Sequence, residues 1–346
     1  MSGGLPGAAR RLFARRHNQQ SPAAAPPDEP LFSVLDCGTS AIKALVVRAG
    51  EDFVELLGAA SEPSSAGVLD VPATVEAAER ALVAAEDAAG ILPRRVVIGL
   101  SGRDGVAGEA EAGPNGERDL RGARRRANSL AEALDLEVVV ISLIDAIGRA
   151  LAGGHDVPAI AVDAGARGTT VLLSGATGME ITAWIPLGGG ALEQRLRDQL
   201  GVNAAGARDA VMAHAAGAAR HSGAGAAAGR TIMQLAQHHA DVWRDAFEVA
   251  CAGLHGLGVL PHRILLFGGG AALPDLSQAI SGGAWHATLP FEKPPAVRVL
   301  DASDVPHVRQ LMVPGLGPAF VPAACLAVAH ARGMAVTRER LRTDRR

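Results

Sequence analysis

The stretch Leu31 to Val47, LFSVLDCGTSAIKALVV, leaves the chain little local choice. An apolar run ends in Asp36-Cys37-Gly38-Thr39-Ser40, and a second apolar run follows. The pattern reads as strand, tight turn, strand. Gly38 admits backbone angles that a side chain forbids, which lets the turn press its N–H groups against an anion. Thr39 and Ser40 add hydroxyl donors, and Lys43 adds a compact positive charge. Asp36 would repel a bare phosphate, so the reading includes a cation such as Mg²⁺ between them. A second copy runs from Pro158 to Gly175, PAIAVDAGARGTTVLLSG. Here the strand ends in Asp163, and a turn containing Gly165, Gly168, Thr169 and Thr170 leads into a β-branched run. Repetition implies two related halves. If they face each other, both turns point into one cleft and hold one metal-bound polyphosphate. A strand ending in Asp-x-Gly is also an ordinary hairpin, so the weight lies on the pair.

With 346 residues the chain has room for two domains. Hydrophobic residues make up 48% but aromatics only 3%, so helices must pack closely on alanine and glycine. A net charge of −3 argues against a nucleic-acid-binding body, and none is expected as a partner. Cys37, Cys251 and Cys325 lie far apart, with no metal or disulfide spacing, which fits the cytoplasm. No apolar run is long enough to span a membrane, and no secretory leader is visible.

Residues 1–16 read as a basic amphipathic helix, with Leu5, Ala8, Ala9, Leu12 and Phe13 on one side and Arg10, Arg11, Arg15 and Arg16 on the other. Residues 5–16 fit peripheral contact with the inner membrane, a disordered tail, or a transit peptide. Residues 17–30 read as a disordered, proline-rich linker. Domain I covers 31–157, with strands near 31–36, 41–48, 52–59, 95–101 and 137–142 and helices at 71–90, 119–134 and 143–152. Residues 102–116 read as a loop. Domain II covers 158–318. Its strands lie at 159–163, 169–174, 179–185 and 263–267. Its helices lie at 191–200, across 203–229 with a break near 222–229, at 231–257 and from Pro274. Residues 282–318 read as irregular. A final helix at 322–331 returns to domain I, and a basic tail closes residues 319–346. His214, His221, His238 and His239 lack metal-site spacing.

These motifs resemble the actin-like ATPase superfamily, which also includes sugar kinases and heat-shock chaperones. Asp36-x-Gly-Thr-Ser resembles the first phosphate loop, and Asp163 to Thr170 the second. Ile144-Asp145-Ala146 to Gly153 resembles the first connecting helix, and Gly188-Gly189-Gly190 the second connecting segment. Phe267-Gly268-Gly269-Gly270-Ala271-Ala272-Leu273-Pro274 resembles the adenosine motif. VVIGLSG, IPLGGGALEQ and LFGGGAALPDL are most similar to the bacterial cell-division protein FtsA and the pilus-assembly protein PilM.

The resemblance implies an α/β fold of two actin-like, ribonuclease H-like domains with a nucleotide cleft, and ATP and Mg²⁺ as cofactors. Asp36 and Asp163 would hold Mg²⁺ through water. Gly38, Thr39, Ser40, Lys43, Gly165, Gly168 and Thr169 would cradle phosphates. Gly188 and Gly189 would line the site, and Gly268, Gly269 and Gly270 would let adenosine lie close. Asp145 would position or deprotonate the attacking water in a slow ATPase, or else only cap its helix. Arg167 would face phosphate or solvent.

The expected function is a nucleotide-controlled scaffold of the FtsA/PilM type, in cell division or envelope-machine assembly, with protein partners or self-association. Three departures stand against a full match, one being that the basic amphipathic segment lies at the other end of the chain from the membrane helix of FtsA-type proteins. The interval between Ser101 and Glu137 is too short for the partner-binding subdomain of FtsA-type proteins. The tail RERLRTDRR also lacks their amphipathic membrane helix. A carbohydrate-type kinase, suggested by LDCGTS, and a scaffold without nucleotide are the alternatives.

Overall fold

The computed structural model describes residues 23–24, 30–64, 71–100, 136–152, 158–175, 178–217, 226–254, 258–310, 313, 315–333 and 339–340. These fall into two compact units. One lies within Met1–Gly154, Ala302–Leu316 and Pro322–Arg346, the other within His155–Asp301 and Gly317–Val321. The first contains β1 (Leu31–Cys37), β2 (Ala41–Ala49), β3 (Val54–Pro63), α1 (Val71–Ala89), β4 (Arg95–Leu100), β5 (Glu137–Ser142) and α2 (Leu143–Ala152). The second contains β6 (Ile160–Ala164), β7 (Thr169–Gly175), β8 (Gly178–Ile185), α3 (Gly189–Leu200), α4 (Ala204–Ala215), α5 (Ala226–Gly253), β9 (Arg263–Phe267), α6 (Pro274–Ser281) and β10 (Ala296–Val299). β11 (Val308–Gln310) and nearly all of α7 (Val321–Ala331) belong to the first unit.

The two sheets repeat one plan. In the first the order is β3-β2-β1-β4-β5, and in the second β8-β7-β6-β9-β10. The first three strands of each form an antiparallel meander. The last two join parallel to the first. Parallel neighbours require crossover connections; α1 lies in the one before β4, α3 to α5 in the one before β9 and α6 in the one before β10.

Each sheet is buried by residues of alternating direction. In the first unit α1 sets Val75, Ala78, Leu82 and Ala85 against Leu35, Ile42, Ala44, Val46 and Ile98. Apolar residues at that spacing form one helical face. The alanines allow close approach, and Gly58 in β3 completes it. A Cβ at Gly58 would overlap the Ala85 carbonyl oxygen and come within 2.9 Å of the Ala89 nitrogen. On the other face of β1, Phe32 meets the His330 ring of α7 edge-on at 4.7 Å. In the second unit α5 buries Ala236, Ala240, Trp243, Phe247 and Cys251 over Ile160, Val162, Ile264 and Leu266. Burial pushes the Cys251 thiol up to about 12, so that sulfur is inert.

Several expectations need correction. Residues 302–316, assigned to domain II, belong to the first unit because β11 pairs parallel with β3. The stretch 282–318 is not irregular throughout, since it contains β10 and β11. Within the expected linker, Ala23–Ala24 pair parallel with Ile91–Leu92. Within the expected tail, Glu339–Arg340 pair antiparallel with Val139–Val140 and cover the edge of β5. Exposed strand edges present unpaired N–H and C=O groups, which recruit such segments whatever their side chains. Helix α5 starts at Ala226, inside the expected loop. The expected helix at 1–16, loop at 102–116, helix at 119–134 and reduced subdomain lie outside the described residues.

Gly58→Ala is expected to destabilise the first unit by about 2–3 kcal/mol, because the clash is with helix backbone that cannot rotate away. Chemical denaturation at neutral pH measures it.

Candidate functional site

In the first unit Asp36 and Lys43 are direct cross-strand partners on β1 and β2. Lys43 Nζ lies 3.3 Å from Asp36 Oδ2, and Asp36 is only 5% exposed. The Gly38 N–H donates to the Asp36 carbonyl at 3.1 Å. That donor, assigned from sequence to phosphate, is therefore already engaged. A Cβ at Gly38 would stand 2.7 Å from the Ala41 carbonyl oxygen and 3.0 Å from Lys43 Nζ, so the lysine lies folded over the turn. Thr39 and Ser40 are half-buried. Among the described residues no hydrogen bond claims the N–H or hydroxyl of Thr39. Ser40 uses only its carbonyl, which accepts from the Ser64 N–H at 2.9 Å.

The second unit repeats the register: Asp163 on β6 faces Thr170 on β7. Its surroundings are more crowded. The Gly165 N–H closes the turn onto the Gly168 carbonyl at 3.0 Å. The first turn of α3 then grips the loop, with Gly189 N–H on the Gly165 carbonyl (3.0 Å) and Gly190 N–H on the Ala166 carbonyl (2.9 Å). A Cβ at Gly188 would overlap the Gly165 oxygen. Gly268 has φ of 90°, a left-handed angle, and a Cβ there would overlap Asp163 Oδ1. Gly270 lies against the Ala164 carbonyl, while Gly269 is exposed.

Two sequence assignments change as a result. The N–H groups of Gly165 and Gly189 hold the site together instead of facing a ligand. The donors that remain in this turn belong to Ala166, Arg167 and Gly168, and Arg167 is exposed. Thr169 is fully buried. Its hydroxyl donates to the Leu187 carbonyl (3.0 Å) and accepts from Trp243 Nε1 (2.8 Å), so the side chain is already engaged within the unit.

Asp145 stands in the first turn of α2, where a carboxylate favours the helix dipole. It is not the cap. The Asp145 N–H donates to the Ser142 hydroxyl at 3.4 Å, so Ser142 caps the helix. The Ser142-x-x-Asp145 spacing carried that signal in the sequence. The Asp145 carboxylate is half-buried.

A polar cluster missed in the sequence ties the helices of the second unit together. His214 Nε2 on α4 lies 2.7 Å from Asp275 Oδ2 on α6. Below it, His239 on α5 is 1% exposed, and neither ring nitrogen has a hydrogen bond among the described residues. Burial, with Arg195 and His238 adding to it and Asp275 opposing, holds His239 down at about 4. No group of three metal-ligating side chains occurs among the described residues. No described helix is long and apolar enough to cross a membrane.

The fold matches known structures. One is a PilM–PilN type IV pilus biogenesis complex: TM-score 0.62, 16% identity, covering 88% of this chain and 99% of that one. The fold is the actin-like ATPase fold. The ethanolamine utilization protein EutJ from Carboxydothermus hydrogenoformans matches at TM-score 0.54 and 17% identity, over 93% of this chain and 99% of that one. No family model matches the sequence, and no curated protein matches it.

Within this actin-like fold the residues suit a magnesium nucleotide. Mg²⁺ keeps most of its waters and takes one or two carboxylates plus phosphate oxygens, so it needs no cage of protein ligands. In the first unit Asp36 would supply a carboxylate, Lys43 a charge and Thr39 and Ser40 donors; in the second, Asp163 would supply a carboxylate and Ala166 to Gly168 donors.

Because His239 is neutral when folded and ionises near 6.5 when unfolded, its contribution is complete above pH 6.5. It is lost as pH falls from there toward 4. Between pH 7 and pH 4.5 the second unit is expected to lose about 2–3 kcal/mol from this residue. His239→Leu should flatten that part of the pH–stability curve in denaturant titrations. Gly268→Ala is expected to cost about 2–3 kcal/mol, from the left-handed angle and the clash with Asp163, read in the same assay.

Proposed function

We propose that this chain is an ATP-binding scaffold of the FtsA/PilM type, in which a magnesium nucleotide controls domain closure and association with protein partners or other copies. The observation that carries this reading is the duplication. Each sheet ends its first strand in an aspartate with a glycine turn, at the same register. On this reading each acidic turn would contribute to nucleotide binding. Asp36 and Asp163 are the residues that would hold Mg²⁺, and Lys43, Thr39, Ser40 and Gly168 those that would meet the phosphates. The segment from Gly268 to Gly270 would face the adenosine.

Bound Mg²⁺ supplies charge neutralisation at the phosphates. The half-buried Asp145 carboxylate is suited to orienting a water for slow hydrolysis. A protein partner is the expectation because the solved PilM is in a complex with PilN. Bacterial cell division or envelope-machine assembly is the setting, at the cytoplasmic face of the inner membrane, with residues 5–16 making the peripheral contact.

Calorimetry with ATP, with and without Mg²⁺, tests the site. Binding is expected to depend on Mg²⁺ and to weaken about tenfold or more in Asp36→Ala and in Asp163→Ala. Absence of binding in the wild type sinks the reading and leaves a scaffold without nucleotide. Phosphate release should be slow and indifferent to sugars, whereas rapid sugar-dependent ADP production would establish the kinase. Co-sedimentation with anionic vesicles tests residues 5–16.

A further inference from the structure

We propose that Thr169 is a positioning residue that couples the Asp163 turn to helix α5, and that an aromatic stack carries this coupling to the far end of the second sheet. The inference rests on the reading of the Asp163 turn as a nucleotide site.

The geometry begins at one hydroxyl. Thr169 Oγ1 accepts from Trp243 Nε1 and donates to the Leu187 carbonyl, and Thr169 and Trp243 are both fully buried. A hydroxyl that donates and accepts at once polarises both bonds, and burial raises the cost of losing either. Leu187 directly precedes the glycine segment whose N–H groups grip Gly165 and Ala166. The turn, the start of α3 and the middle of α5 therefore share one junction. A shift in the turn has no slack to absorb it, because Gly188 already touches the Gly165 oxygen and Gly268 the Asp163 carboxylate.

From Trp243 the contacts continue through rings. Trp243 stacks on Phe247 with parallel planes at 5.5 Å. Phe247 meets Trp285 edge-on at 5.6 Å, and Trp285 meets Phe291 at 5.8 Å. Trp285 Nε1 donates to the Ile280 carbonyl at the end of α6 (3.0 Å). The chain has only 3 tryptophans, 7 phenylalanines and no tyrosine, yet four of these rings form this single line. Ring contacts of this kind are stiff and directional. Phe291 bridges to Leu260, just before β9 starts, so the line ends at the opposite end of the strands from Asp163. Beside that end, Val259 is 69% exposed.

The test labels the protein with 5-fluorotryptophan and assigns the Trp184, Trp243 and Trp285 fluorine resonances by single Trp→Phe substitutions. The turn is then perturbed in two ways: by saturating Mg-ATP, and by Asp163→Asn without nucleotide. Each perturbation is expected to move both the Trp243 and the Trp285 resonances. In Thr169→Val the Trp285 response should fall by about half or more, and Thr169→Ser should restore it. A Thr169 that only stabilises the fold would lower the melting temperature in Thr169→Val and leave the Trp285 response intact, which would overturn the proposal. So would a Trp285 resonance that ignores Asp163→Asn in the wild type. Failure of Mg-ATP to bind would fell the nucleotide reading alone, since the Asp163→Asn comparison needs no ligand.

Discussion

Close backbone approach around Asp163 is the constraint on which the second unit depends. Three segments far apart in sequence meet there: the 165–168 turn, the start of α3 and the Gly268 corner. Gly188 and Gly268 stand where a methyl group would overlap a carbonyl or a carboxylate oxygen. The hydrogen bonds that this approach permits use up N–H groups of the turn and of the helix start. The site is thus rigid at its base, and its remaining donors lie along one edge. The first unit solves the same problem differently. Its turn is held by the Asp36–Lys43 pair, so its carboxylate is balanced by a charge instead of being wedged by glycine.

That contrast gives the two acidic turns different physical characters within a shared plan. Removing Lys43 would leave a buried carboxylate without its counter-charge, which is costly. Removing Thr169 would instead leave an indole N–H and a carbonyl unpaired in the interior. One turn is held by a charge pair. The other is mechanically tied to helices of its own unit.

Much of the fold was legible because its signals are local. Strands such as LFSVLD and RILLF are apolar runs bounded by turn residues, and helix α1 shows its buried face as a spacing of Val75, Ala78, Leu82 and Ala85. The repeated acidic turn was visible for the same reason. The short strands at 296–299, 308–310 and 339–340 were not. Their residues show little alternation, and only the open edge of a sheet formed elsewhere in the chain makes them strands. The Ser142 cap is legible in its three-residue spacing to Asp145.

Sequence alone determined that two aspartates end two apolar strands, each followed by a glycine turn, because residue type and alternation act over a few positions. It also determined that helices here must pack on alanine. Only the tertiary structure decided which donors those turns retain. Whether the N–H of Gly165 or that of Gly168 is free depends on where a carbonyl three residues away lands. Whether Thr169 faces a ligand or an indole depends on a helix that starts more than fifty residues later in the chain. Hydrogen bonds between distant segments form only once the sheet has brought them together, and no local pattern encodes them.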